Sequence, residues 1–412
     1  MIAEKPPLPQ SARGHLFGAL ESQPADALLG LIALHRRDPR PTKIDLGVGV
    51  YRNEAGETPV LTAVKAAERR LAETQPTKAY LGAEGDIGFV ERLAPIVLGE
   101  PLAADRTVTG VQTPGGTGAL RLAAELIARG TGNPTVWIGT PTWPNHGPIF
   151  REAGLAVRSH PFFDAATGVI DFAGMMGALA AAAPGDVVLL HGCCHNPTGA
   201  EFGDAQWAAI IVLLRDRGLV PLIDLAYQGL GQGLDEDAAA TRAVLAAIPE
   251  ALLAYSCDKN FGLYRDRVGA LWVKAASGDD LALVCQNMLV LARSLWSMPP
   301  DHGAAVVRTI LEDAALTVSW KQELEDMRLR IVGLRTALAL SEPRLAALAD
   351  QTGMFAMLPL DRGAAQALRT SRGIYLADSG RINIAGLRAE TIAPFVAAIG
   401  PYLRHPATML AG

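Results

Sequence analysis

A chain of 412 residues, half of them hydrophobic and 19% charged, has material for a large core and reads as two domains or one large domain with an appendage. Its net charge of −5 comes without a basic run or basic–aromatic stripe, which argues against nucleic acid as a partner. No apolar run reaches membrane-spanning length, and the N-terminal MIAEKPPLPQSARGHL lacks the apolar centre of a signal peptide and reads as a flexible lead-in. The four cysteines (Cys193, Cys194, Cys257 and Cys285) show neither zinc-ligand spacing nor a disulfide framework, so a reducing, cytoplasmic setting is expected.

From about residue 105 onward, short β-rich runs alternate with Ala/Leu-rich helical stretches. TVTGVQ (107–112) leads through a glycine turn into the helical ALRLAAELIARG (119–130). PTVWIG (134–139) and DVVLLHG (186–192) follow, then the helical AQWAAIIVLLRDRG (205–218) and the runs VPLIDLA (220–226), ALLAYSC (251–257) and VGALWV (268–273). This alternation predicts an α/β fold with a mostly parallel sheet covered by helices. The link before VGALWV is too short for a helical crossover, so that run is expected to lie antiparallel to its neighbours. Beyond it come a helical region (302–346), GMFAMLPL (353–360), GIYLAD (373–378), GRINIAG (380–386) and the amphipathic AETIAPFVAAIGPYL. These predict a smaller α+β domain, with the N-terminal region as its partner.

The chemistry-bearing positions sit at the ends of these runs. QTPGGTGALRLAAEL (112–126) takes a strand into a helix through glycines, where backbone N–H groups and the helix N-terminus can meet an anion; the alternative is an ordinary tight turn. PTWPNHG holds Trp143 between two prolines, either to stack on a flat ring or to pack. In LLHGCCHNPTG, Asn196 precedes Pro197 and presents its amide at a strand end. His191 and His195 in the same stretch read as satisfied structural histidines, with no metal, and Cys193–Cys194 as buried packing. Asp224 lies near the carboxyl end of VPLIDLA, where open sheets bind ligands, and needs a partner there: a ligand, a salt bridge or a helix cap. Tyr227 reaches the same place or packs.

Lysine is rare in this chain: 7 Lys against 30 Arg make up the 37 basic residues. Lys259, just past the buried run ALLAYSC, is therefore marked as an amine that must be able to lose its proton, which arginine cannot do. Arg293 in ARSLWSMPP and Arg381 in GRINIAG would each pass alone as a surface charge. Taken together, a phosphate cradle, a strand-end acid, a strand-end amide, a stacking aromatic, a deprotonatable lysine and two arginines suited to carboxylates match the needs of pyridoxal phosphate.

The motifs PADALLGL, DLGVGVYRNEAGETPVL, TKAYLG, TPGGTGAL, PTWPNH, HGCCHNPTG, IDLAYQG, SCDKNFGLYRDRVG, PPDHGA and SGRINIAG occur in an order that resembles the class I aminotransferases of the aspartate and aromatic amino acid type, from about Pro24 to near the C-terminus. The resemblance implies a mixed, mostly parallel seven-stranded sheet. It implies an N-terminal arm and part of a small domain in residues 1–58, a large cofactor-binding domain in 59–322 and a small C-terminal domain in 323–412. It implies that Lys259 bonds pyridoxal 5′-phosphate covalently and later carries the substrate proton. Asp224 pairs with the pyridine nitrogen, with His146 behind it. Tyr227 and Asn196 hydrogen-bond the ring oxygen, and Trp143 stacks on the ring. Gly116, Thr117, Ser256 and Arg267 hold the phosphate, and Tyr80 reaches the phosphate of the neighbouring subunit of a homodimer with shared sites. Arg381, Asn196 and Gly49 take the substrate α-carboxylate, while Arg293 takes the distal carboxylate from the partner subunit.

The implied reaction is ping-pong transamination between amino acids and 2-oxo acids, with 2-oxoglutarate as acceptor. Val50, Arg52, Thr58 and Thr117 match an aspartate-type distal pocket. Ala79 and Met298 stand where polar residues are usual, so a broad enzyme taking aspartate, glutamate and aromatic amino acids is expected. The alternatives are a strict aspartate aminotransferase and, more remotely, a lyase or decarboxylase on the same scaffold, against which the Arg293 and Arg381 pair argues. Asp258 departs from the pattern, in which a hydroxyl residue usually precedes the lysine. Its carboxylate is expected to turn from the phosphate toward a nearby arginine.

Overall fold

The computed structural model describes residues 17–18, 20–22, 27–130, 132–165 and 167–403; the proline-containing lead-in and the first residues of PADALLGL lie outside the described residues. In chain order the strands are β1 (Ile44–Asp45), β2 (Val108–Pro114), β3 (Val136–Thr140), β4 (Val157–Pro161), β5 (Phe163–Asp164), β6 (Val169–Ile170), β7 (Val187–His191), β8 (Val220–Leu225), β9 (Ala251–Ser256), β10 (Val268–Lys274), β11 (Phe355–Met357), β12 (Ile374–Tyr375) and β13 (Arg381–Asn383). Seven of them form one sheet in the order β2-β10-β9-β8-β7-β3-β4.

β10 runs antiparallel to both β2 and β9, as its short link implies, and the remaining neighbours are parallel. Alternate residues of the central strands enter two different cores. Val188, Leu190, Ile223, Leu225, Leu253 and Tyr255 join one; Val187, Leu189, Leu222, Leu252 and Ala254 join the other. Both faces are covered, which is why these strands read as continuous apolar runs. The helix Gly115–Arg129 buries Ala119, Leu120, Leu122, Ala123, Ala124 and Ile127 on the second face. Strand residues alternate in direction, so Asp224 points to the same side as Leu222, toward that helix.

β4 is the strand missing from the β-rich runs. It lies at the sheet edge with sequence VRSHP, and only His160 is buried along it, so it needs no apolar alternation. The helical region at 302–346 is two helices and a tail. Asp301–Glu312 ends at Asp313, whose carboxylate accepts the N–H groups of Ala315 and Leu316 and starts Ala314–Ser341, followed by the 3-10 stretch Pro343–Asp350.

The N-terminal segment returns to the C-terminal part of the chain. β1 pairs in parallel with β12, and Leu46 N–H donates to the Tyr375 carbonyl at 2.7 Å. β11 pairs with β13 in antiparallel fashion. Asn383, at the end of β13, donates from Nδ2 to the carbonyls of Val48 (2.6 Å) and Val50 (2.7 Å) and so fixes the 48–50 turn.

Candidate active site

The carboxyl ends of β7, β8 and β9 and the start of helix Gly115–Arg129 open on one cleft of about 360 Å³. At its floor lies Asp224, 7% exposed. His146 Nε2 is 3.0 Å from Asp224 Oδ2, and Thr142 Oγ1 is 2.8 Å from His146 Nδ1. A carboxylate only accepts, so Nε2 carries the hydrogen and Nδ1 accepts from the threonine. Burial pushes the Asp224 carboxyl up; the His146 hydrogen bond and the charges of His146, His191 and Lys259 outweigh it and hold the carboxyl below its usual value.

Lys259 enters from the loop after β9. That loop is locked from behind: Asn260 donates to the Tyr255 hydroxyl at 2.8 Å, Trp320 Nε1 donates to the Asn260 carbonyl at 2.8 Å, and Phe261 stacks on Trp320 at 4.3 Å. The Lys259 ammonium lies 5.2 Å from the centre of the Tyr227 ring, and burial pulls its pKa down against the nearby Asp258 and Asp224. The Tyr227 hydroxyl accepts from Asn196 Nδ2 at 3.2 Å. Asn196 Oδ1 is buried without a protein partner. The Asn196–Pro197 peptide is cis.

Gly116 and Thr117 begin a helix that no side chain caps, beside Ser256 at the end of β9 and Arg267 ahead of β10. Arg267 has a φ of 56°, a left-handed conformation uncommon for a residue with a side chain. Its guanidinium is paired with Asp258, the turn toward an arginine that the sequence led one to expect, yet Asp258 still lines the cleft.

Arg381 forms the far wall. Its guanidinium sits 4.9 Å from the Phe355 ring centre and donates to the Gly47 carbonyl at 2.8 Å, while its Nε is buried without a partner. Gly49 faces Phe355 so closely that a Cβ there would come 2.8 Å from the ring. The Tyr264 hydroxyl accepts the Tyr51 N–H at 2.9 Å and ties this wall to the lysine loop.

The cleft thus gathers the predicted Gly49, Gly116, Thr117, Trp143, Asn196, Asp224, Tyr227, Ser256, Lys259, Arg267 and Arg381, with His146 one layer behind Asp224 and Trp143 edge-on to it at 5.2 Å. Tyr80, 94% exposed, and Arg293, exposed on the helix Gly278–Leu295, lie outside it. Of the residues read as lining the distal pocket, Thr117 lines the cleft, whereas Arg52 is spent on Asp45 at 2.6 Å, because that carboxylate sits beside it on β1. Val50 and Thr58 do not line the cleft either. His195 is satisfied by Thr198 at 2.9 Å, but His191 is not a satisfied histidine: its Nε2 is buried without a partner while its ring lines the cleft. Phe355, Tyr264 and Asn383 were not anticipated. The first two read as core aromatics, and the third carries no signal until β13 is set against the 48–50 turn.

The profile of the family described as aminotransferase class I and II matches residues 41–399. The chain is 54% identical over 382 residues to a tyrosine aminotransferase of Rhizobium meliloti, covering 92% of this chain and 98% of that one. It is 43% identical over 392 residues to an aspartate aminotransferase of Escherichia coli, covering 93% and 99%. Among solved structures, an aromatic-amino-acid aminotransferase from Burkholderia pseudomallei, covalently bound to pyridoxal phosphate, superposes with a TM-score of 0.91 at 38% identity, over 95% of this chain and 100% of that one.

Proposed function

The chain belongs to the class I and II aminotransferases, a pyridoxal-phosphate-dependent family, and from that premise we propose that it moves the amino group between aspartate, glutamate or an aromatic amino acid and 2-oxo acids, with 2-oxoglutarate as acceptor. The observation that carries this reading is the meeting, in one cleft, of a lysine amine with a lowered pKa, a buried carboxylate and an arginine with an unpartnered Nε. The residues present fit the cofactor. The unpartnered Asn196 Oδ1 awaits a donor, the uncapped helix start awaits an anion, and Asp224 awaits a cation.

When bound, pyridoxal phosphate supplies an aldehyde that condenses with amines and a protonated ring that draws electrons from the substrate Cα. Lys259 would hold it and, once freed by substrate, would take and return the proton at Cα, a task open to an amine whose hold on its proton is weakened by burial. Asp224, kept anionic by His146, would hold the proton on the pyridine nitrogen. Tyr227 and Asn196 would bind the ring oxygen, and Trp143 would cover the ring face. Gly116, Thr117, Ser256 and Arg267 would hold the phosphate. Arg381 would bind the α-carboxylate with its planar fork, aided by Asn196 and Gly49.

We place the protein in the cytoplasm as a homodimer, in which Tyr80 and Arg293 of each subunit serve the partner's site. Their exposure on the single chain supports this, and no helix among the described residues is long and apolar enough to cross a membrane. Residues 1–58, 59–322 and 323–412 divide into arm with part of the small domain, cofactor-binding domain and small domain. Met298 and Ala79 do not line the cleft of the single chain; breadth of substrate is inferred from their side chains, neither of which offers a polar group that a ring would leave unpaired.

The test is a half-reaction survey: single amino acids are mixed with the yellow holoenzyme, and loss of its colour and release of the oxo acid are followed. Aspartate, glutamate, phenylalanine and tyrosine should all react. A kcat/KM for aspartate more than ~10⁴-fold above that for phenylalanine, the scale on which polar sites discriminate, would leave the strict aspartate enzyme instead.

A further inference from the structure

Asp258 is a charge in the cleft that the proposed function leaves unused. It is 2% exposed, and its carboxylate is engaged by Arg267 and by the Val268 N–H at 3.2 Å. The pair crowds the start of the Gly115–Arg129 helix: a Cβ on Gly115 would lie 2.7 Å from Arg267 Nη2 and 3.1 Å from Asp258 Oδ2. In the free protein an internal carboxylate therefore already pairs with the arginine that a cofactor phosphate needs, close to the start of that helix.

A phosphate at that place meets the carboxylate in a confined pocket, and two anions sharing one site do not both stay ionised. The groups facing Asp258 are Arg267 ahead of β10, Lys259 with Asp224 beyond it, the Tyr264 hydroxyl and the Cys257 thiol. Of these, Arg267 turns to the phosphate and the tyrosine and thiol are kept neutral by burial, which leaves Lys259 and the Val268 N–H to favour a negative charge on Asp258. Burial already pushes the Asp258 carboxyl up, against the pull of Lys259 and Arg267.

We infer that Asp258 yields Arg267 to the cofactor's phosphate and takes up one proton from solvent as it does so, which links cofactor binding to pH through this residue. The inference rests on the cleft being a pyridoxal phosphate site. The sign follows from linkage. Between the pKa of Asp258 in the free protein and its higher value in the complex, the bound form carries one proton more, so affinity falls up to tenfold for each unit rise in pH. Below that window Asp258 is protonated in both forms and the dependence vanishes.

The probe is pyridoxamine 5′-phosphate, whose amine cannot condense with Lys259, titrated into the full-length apoprotein by calorimetry at several pH values. Wild type is compared with Asp258→Ser and Asp258→Asn; ionisation of the phosphate itself is common to all three and cancels in the ratio. The Kd of wild type over that of either variant should rise with pH by as much as tenfold per unit. Titrations in two buffers of different ionisation heat should count about one more proton taken up by wild type. A ratio flat with pH and equal proton counts would overturn the inference while leaving the cofactor reading intact. Folded proteins that all fail to bind the probe at every pH would overturn the cofactor reading, and the inference with it.

Discussion

At the scale of single residues, the cleft is built from groups whose protonation is set by their surroundings. Asp224 stays anionic because His146 donates to it, and Lys259 sheds its proton more readily because burial disfavours the ammonium. The same burial acts on histidines outside the chemistry. His195, stacked 4.0 Å from Phe162 and surrounded by His191, His146 and His160, has its pKa pushed well below 6.5, by burial first and by those neighbours next. Below that pH the unfolded chain binds a proton at this position that the folded chain does not. Stability therefore falls with acidification, by about 1.4 kcal/mol per pH unit for one such group. Thermal melting of His195→Gln should lose less stability than wild type on going from neutral to acidic buffer; parallel slopes would show that His195 is not the group responsible. Residue chemistry was also the most legible level. Lys259, Asp224 and Asn196 stand out because a charged or amide side chain at the end of an apolar run demands a reason. Phe355 and Tyr264 do not, because an aromatic among apolar residues is ordinary core.

At the scale of elements, the central strands were readable because both their faces are buried, and β10 was readable as antiparallel from the length of its link. The edge strand β4 and the two-residue β1 were not, since VRSHP and so short a strand carry no alternation; the short β11, β12 and β13 fall within the runs GMFAMLPL, GIYLAD and GRINIAG. Those short strands set the wall of the cleft that carries Arg381. Asn383 of β13 holds the 48–50 turn, and Gly49 in that turn lies against Phe355, on which Arg381 rests. Gly49→Ala would put a Cβ where the ring now is, displacing the ring from beneath the guanidinium. Steady-state kinetics should show KM for amino acid and oxo acid rising roughly tenfold, with a smaller change in kcat, the signature of weakened ground-state binding. An unchanged KM would mean that Arg381 is held without Phe355.

At the scale of the whole molecule, one chain encloses the cleft around Lys259 but leaves Tyr80 and Arg293 outside it. Only the resemblance to a family assigned these two to a neighbouring subunit's site, because such a role has no trace in the spacing of one sequence. If each site borrows them, a purified hybrid of one Lys259→Ala subunit and one Arg293→Ala subunit contains a single complete site. Its activity with aspartate should recover to about half that of wild type, although each parent homodimer is nearly inactive. A hybrid as poor as the parents would mean that the sites are not shared. All of this depends on Lys259 being the residue that carries the cofactor. The most direct measurement is borohydride reduction of protein prepared with pyridoxal phosphate, followed by mass analysis of its peptides. A stable pyridoxyl adduct on Lys259, absent from Lys259→Ala, is the result expected; a protein that stays colourless and yields no adduct on Lys259 would contradict the account.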